Sequence, residues 1–159
     1  MRIKTDSPFL LILFFSSLIF FSSCSASKKA YKRKVNTVVQ TAKTYRGTPY
    51  RYGGTTRAGM DCSALLYLSF KSVGVTLPRT SDAQSKTGKK VSVNKLEKGD
   101  VLFFATGKKK RQVTHAGIVT DADRKSIQFI HSSSSLGVTE DNLYSKYWHP
   151  RFIRARRYF

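Results

Sequence analysis

The chain has 159 residues and carries 29 Lys and Arg against 9 Asp and Glu, a formal charge of +20. With an N-terminal segment set aside, residues 35–159 suffice for one compact domain with a single core and not for two, and no internal repeat is visible. The basic residues are dispersed, with runs at 28–34, 86–90, 108–111 and 151–157 and no aromatic-interleaved stripe, so the charge reads as bulk attraction to an acidic polymer or surface, and no nucleic-acid partner is expected.

In chain order, a basic start from Met1 to Lys4 precedes a 13-residue apolar-rich run, residues 9–21 ("FLLILFFSSLIFF"), and then Ser22, Ser23 and Cys24. The run is short against the roughly 20 residues a spanning helix needs, which describes a secretory signal over residues 1–23. "FSSC" resembles a bacterial lipobox, with Phe21 where leucine is usual. The resemblance implies acylation of Cys24 and a membrane attachment through its lipids. Ser25 in place of an aspartate implies sorting to the outer membrane, with the domain facing the periplasm. Residues 24–34 ("CSASKKAYKRK") are polar, basic and non-periodic, and read as a tether.

Val35, Val38, Val39 and Ala42 share one helical face over residues 35–45, with Gly47 as a stop. Residues 48–60 read as a loop containing Pro49, Gly53, Gly54 and Gly59. Residues 62–73 predict a buried helix, apolar on most faces, capped by Asp61 and stopped by Gly74. A short third helix over 80–86 follows Pro78, capped by Thr80 or Ser81. The second half changes period: "GDVLFFA", "THAGIVT" (114–120) and "SIQFIHSS" (126–133) predict strands, with turns at 107–111 and 121–125. Gly137, Val138 and Thr139 predict a later strand, and "RFIRARRY" an edge strand. Helices followed by an antiparallel meander give an α+β fold with its helices on one side of the sheet.

If acylation consumes Cys24, Cys62 is left unpaired in an oxidising compartment. Its predicted position, first in a helix, is where unpaired N–H groups and the dipole stabilise a thiolate, and a nearby imidazole adds to this. The same position suits a small core residue, and position alone does not separate the two. His115 and His131 lie in neighbouring strand runs. With residue 123 at the turn centre they stand directly opposite on one face, Cβ atoms about 4.5–5.5 Å apart. His131 can then orient His115 while His115 serves Cys62 as base; His149, in a loop beside Trp148, has no such pairing. Metal-ligand spacings such as C-x-x-C or H-E-x-x-H are absent, and neither metal nor cofactor is expected.

Five segments in this order, "TPYRYGG…DCSALL", "LPRTSDAQ", "L-x-x-GDVLFF", "THAGIV" and "FIHSSSSLGV", resemble the NlpC-type cysteine peptidase family of cell-wall hydrolases, and the overall plan is similar to its small Spr-type lipoproteins. The resemblance covers residues 35–159 and implies a papain-like α+β fold with the nucleophile at a helix N-terminus packed on an antiparallel sheet. It implies Cys62 as nucleophile, His115 as general base and His131 as the third polar residue. Tyr50 would lie near the oxyanion site, Asp61 and Ser63 would contact a substrate amine, and Arg79 and Ser81 would line or brace the cleft. Ala64 stands where a small Gly is usual, and Tyr52 where Trp is usual.

The function implied is a lipid-anchored, monomeric peptidoglycan endopeptidase. It would cut γ-D-glutamyl–diaminopimelate bonds or D-alanyl–diaminopimelate cross-links, the Spr-like plan leaning toward the latter. Alternatives are lipid acyl transfer on a related fold, or a non-catalytic basic wall-binding lipoprotein.

Overall fold

Val35, Val38, Val39 and Ala42 are buried and form the inner stripe of the first helix, α1 (Pro8–Lys43). The computed structural model describes residues 8–123 and 125–159, with side chains from residue 26 onward. The expected signal segment, residues 1–23, and the expected acylation at Cys24 concern side chains outside those described. The chain divides between Arg33 and Lys34 into two units, the second running to Phe159. Helix α1 continues through residues 26–34, where the sequence predicts an irregular tether. Ala, Lys and Arg there are strong helix formers, and no Gly or Pro interrupts them.

The loop after α1 holds a two-residue hairpin, β1 (Thr55–Thr56) against β2 (Gly59–Met60), and an isolated bridge between Tyr50 and Met60. Helix α2 (Cys62–Lys71) begins as predicted. Asp61 is extended (φ −91°, ψ 171°), and its side chain accepts the Ala64 N–H, leaving Cys62 at the first helical position. The helix ends at Lys71, short of residue 73. Gly74, at φ +79°, takes up the turn that returns the Val75 N–H to the Phe70 carbonyl. Thr80 caps the short α3 (Ser81–Gln84).

Six strands form one antiparallel sheet: β3 (Lys89–Val91), β4 (Val101–Phe104), β5 (His115–Ala122), β6 (Ile127–Ser133), β7 (Gly137–Asn142) and β8 (Phe152–Arg157), in the order β3-β8-β4-β5-β6-β7. The C-terminal strand is therefore interior, not the predicted edge. It is enclosed because residues 89–91, basic and without an apolar pattern, add β3 outside it.

The run "VLFF" is buried throughout because both faces of the sheet are covered. Val101, Phe103, Ala116, Ile118 and Ile130 pack under α1 and α2. Leu102, Phe104, Val119 and Phe129 pack on the other face against Leu96, Leu143 and Trp148, which come from irregular segments. The α+β plan of the sequence is the plan observed.

Gly137 (φ +69°) is pressed against the first loop: a Cβ there would sit 2.3 Å from the Thr48 carbonyl oxygen. Gly74, also at positive φ, has open space around it. Gly74→Ala should cost about 1–2 kcal/mol, the left-handed penalty alone. Gly137→Ala should cost on the order of 3 kcal/mol or more, because a steric clash is added. Urea denaturation midpoints measure both, and equal losses would show that the Thr48 loop yields freely.

Candidate active site

Helix α2 owes its start to one carboxylate. Asp61 Oδ1 accepts from the Ala64 N–H (2.8 Å), the Ser63 hydroxyl (2.8 Å) and Arg79 Nη1 (2.9 Å), while Oδ2 accepts from Arg79 Nη2 (2.8 Å) and the Gly53 N–H (3.0 Å). Burial works to raise the Asp61 pKa, but the bonds from Arg79, Ala64 and Ser63 outweigh it and hold the carboxyl below its usual range. Arg79 is raised in turn, first by its hydrogen bond to Asp61. Gln84 braces the same corner, its amide donating to the carbonyls of Ser63 (3.0 Å) and Pro78 (2.8 Å).

Cys62 is a free thiol, buried to 6% exposure. The backbone N–H groups of Ala116, Ser63 and Cys62 itself are directed at the sulphur and favour the thiolate, but burial outweighs them and pushes the thiol up to about 11. His115 moves the opposite way. Burial, with the neighbouring His131 adding to it, pushes the imidazole down to about 3. Burial thus works against the thiolate that the helix N-terminus favours, and against the imidazolium.

His115 and His131 meet edge-on, Nε2 of His115 to Nδ1 of His131 at 3.0 Å. They are not directly opposed as predicted. The turn is closed by Asp123 and Ser126, which centres it beyond residue 123, and a bulge falls between Val119 and Asp121. In the resulting register Ile118 faces Ile130, so continued pairing brings residue 117 opposite His131, two residues from His115. An offset of two keeps both rings on the same face, and the diagonal is within reach of an imidazole.

The line extends past what the sequence indicated. His131 Nε2 lies 2.9 Å from Asp141 Oδ2, which also accepts the Trp148 indole N–H at 2.8 Å. Burial lowers the His131 pKa, opposed by the bond and charge of Asp141. The Trp148 ring stacks on His115, centroids 5.3 Å apart and planes within 23°. Strand alternation carried past Thr139, the pairing partner of His131, is the signal that points to Asp141. Trp148 arrives from an irregular segment, and no spacing signals it. His149 is exposed, its ring near Tyr144 and apart from this line.

Two clefts share Tyr50 and Thr114. One, about 600 Å³, is lined by Cys62, Asp61, Arg79 and Ser81 with the exposed Tyr52 at its rim; the other, about 660 Å³, by His115, His131, Asp141, Ser133, Leu136 and Tyr147. Burial raises the Tyr50 pKa, with the charges of Cys62 and Asp61 adding to it, as fits a phenol beside both. Of the residues singled out in the sequence, Tyr50, Asp61, Cys62, Ser63, Arg79, Ser81, His115 and His131 all border one or other cleft. Ala64 is fully buried in α2, where it serves as the Asp61-capped position.

Residues 47–157 match the NlpC/P60 family. The chain is similar to a probable endopeptidase NlpC homolog of Haemophilus influenzae, 39% identical over 112 residues, 70% of this chain and 56% of that protein. It is also similar to the murein DD-endopeptidase MepS/murein LD-carboxypeptidase of Escherichia coli, 37% identical over 114 residues, 71% of this chain and 57% of that one. An NlpC/P60 family protein of Bacillus cereus superposes with a TM-score of 0.71 at 34% identity, over 78% of this chain and 40% of that one. The chain thus spans little more than half the length of these curated relatives.

Because a thiol reacts as its anion, labelling of Cys62 reports its protonation. With the thiol pushed up to about 11, iodoacetamide labelling should climb roughly tenfold per pH unit between about pH 7 and 9, following the rising thiolate fraction. A rate that has levelled off by about pH 7 would reveal a preformed thiolate–imidazolium pair instead.

Proposed function

The chain belongs to the NlpC/P60 family, and from that premise we propose that it is a cysteine peptidase hydrolysing amide bonds within peptidoglycan stem peptides or their cross-links. The observation that carries the reading is the buried thiol at a helix N-terminus in one cleft, with the His–His–Asp line in a second cleft that shares Tyr50 and Thr114 with it. Clefts on both sides suit a peptide that extends past the scissile bond in both directions, as an endopeptidase requires.

In this reading the Cys62 thiol gives its proton to His115 as sulphur attacks the carbonyl, so charge separates only when substrate is present. N–H groups at the start of α2, together with the Tyr50 hydroxyl, receive the oxyanion. The His115 imidazolium protonates the leaving amine, and water then releases the acyl-enzyme. Asp61, its oxygens filled by five donors, acts through Arg79 and Ser63: it fixes the cleft wall on which Arg79 and Ser81 meet substrate.

Acylation of Cys24 would hold the domain at the outer membrane, within reach of the wall, and the +20 charge would favour a carboxylate-rich polymer. Lipid acyl transfer fits less well, because Ser133, Asp141, Asp61 and Arg79 line the clefts with polar groups. A wall-binding role without catalysis has no use for a buried Cys–His–His set.

Full-length protein in detergent, incubated with muropeptides and followed by mass spectrometry, tests the reading. New peptides that vanish with an alkylator and persist with a chelator support it; chelator-sensitive products, or none, overturn it. Cys62→Ala should abolish product formation. Tyr50→Phe should slow turnover by roughly 100- to 1000-fold without abolishing it, the usual loss for an oxyanion donor; unchanged turnover would remove Tyr50 from that role.

A further inference from the structure

Asp141 Oδ2 has two neighbours at hydrogen-bonding distance, Trp148 Nε1 and His131 Nε2. An indole N–H only donates, so this oxygen is held in place as an acceptor, and an ionised carboxylate has no proton to give. His131 Nε2 must then be the donor. A neutral imidazole carries one N–H, which leaves His131 Nδ1 as an acceptor. Its partner at 3.0 Å is His115 Nε2, which must in turn donate. The proton of His115 is therefore on Nε2 and its Nδ1 is bare. A bare ring nitrogen is what a base needs to take a thiol proton.

We propose that Asp141, oriented by Trp148, is a positioning residue that sets the tautomers of both imidazoles, Nε2–H on His131 and on His115, and so keeps His115 Nδ1 free as the base. The inference rests on the reading of Cys62 and His115 as nucleophile and base. Without the carboxylate, His131 is free to carry its proton on Nδ1 and donate to His115 Nε2. That moves the His115 proton to Nδ1 and blocks the base. Trp148 serves both ends: its N–H holds the Asp141 oxygen, and its ring, stacked 5.3 Å from His115 and edge-on to His131 at 4.8 Å, fixes both ring planes. Asp141 also borders the cleft, its side chain 43% exposed, so substrate contact is the rival role and must be separated by kinetics.

The test is long-range proton–nitrogen NMR on full-length protein labelled with ¹⁵N-histidine at neutral pH. Nε2–H signals for both His115 and His131 are expected, and an Nδ1–H on His115 overturns the proposal. Asp141→Leu should lose this pattern and lower kcat by roughly 10- to 100-fold, the range for orienting partners one shell out, with KM little changed. Asp141→Asn, which keeps an oxygen for the Trp148 N–H to hold, should restore the Nε2–H signals and part of the rate. A rise in KM alone, or an Asp141→Leu protein with an unchanged spectrum and kcat, overturns the proposal. Should the Leu variant not fold, the wild-type spectrum decides. Cys62-dependent hydrolysis together with Nδ1–H on His115 would remove this inference and leave the peptidase reading standing. Nε2–H signals in a protein that cuts no muropeptide would do the reverse.

Discussion

Five donors converge on the two oxygens of Asp61, and most of the site's geometry depends on that convergence. One oxygen caps α2 through the Ala64 N–H, which sets where the helix begins and so puts Cys62 at its first position. The other oxygen holds the Gly53 N–H, which draws the glycine-rich loop and Tyr50 toward the helix start. Arg79 binds both oxygens in a fork and anchors the segment leading to α3. A carboxylate has about four lone-pair sites, so this one is saturated. Three pieces of chain, at residues 53, 63–64 and 79, are thereby bound to a single residue next to the thiol. Gln84 repeats the device with opposite polarity, donating to the carbonyls of Ser63 and Pro78.

Burial then dictates the charge state of what Asp61 has positioned. Cys62 and His115 are both buried, and each is driven toward its neutral form, the thiol up and the imidazole down. Three N–H groups at the sulphur pull the other way and do not win.

The sequence made the local elements legible because their causes are local. Asp61 before an apolar run predicts a capped helix, and Gly74 predicts its stop within two residues. Alternation in "THAGIVT" and "SIQFIHSS" predicts two strands whose histidines share a face. The misses have non-local causes. Whether residues 152–157 form an edge depends on β3, whose basic residues 89–91 carry no strand pattern of their own. The register of β5 against β6 depends on a turn closed by Asp123 and Ser126 together with a bulge beside Thr120, and no spacing reveals the bulge. Parity survived that error: a two-residue offset preserves the face, whereas a one-residue slip would have turned one ring away. Asp141 was within reach of the same alternation, and Trp148 was not.

Cys62 and His115 also belong to different halves of the core. Cys62 starts a helix packed on one face of the sheet, whereas His115 and His131 lie among Phe104, Phe129 and Trp148 on the other. They meet at the start of β5, where His115 and Ala116 point to opposite faces and the Ala116 N–H reaches the sulphur. Gly117 lets this happen. A Cβ there would lie 2.5 Å from the Phe129 ring, so only glycine lets that ring lie across β5 beside His131. The two cores are fixed by separate sets of residues, and β5 contributes to both, through Ala116 and Ile118 on one face and Val119 on the other. The first three residues of β5 therefore each shape the cleft: one supplies the imidazole, the next an N–H to the sulphur, and the third the space beside the second imidazole.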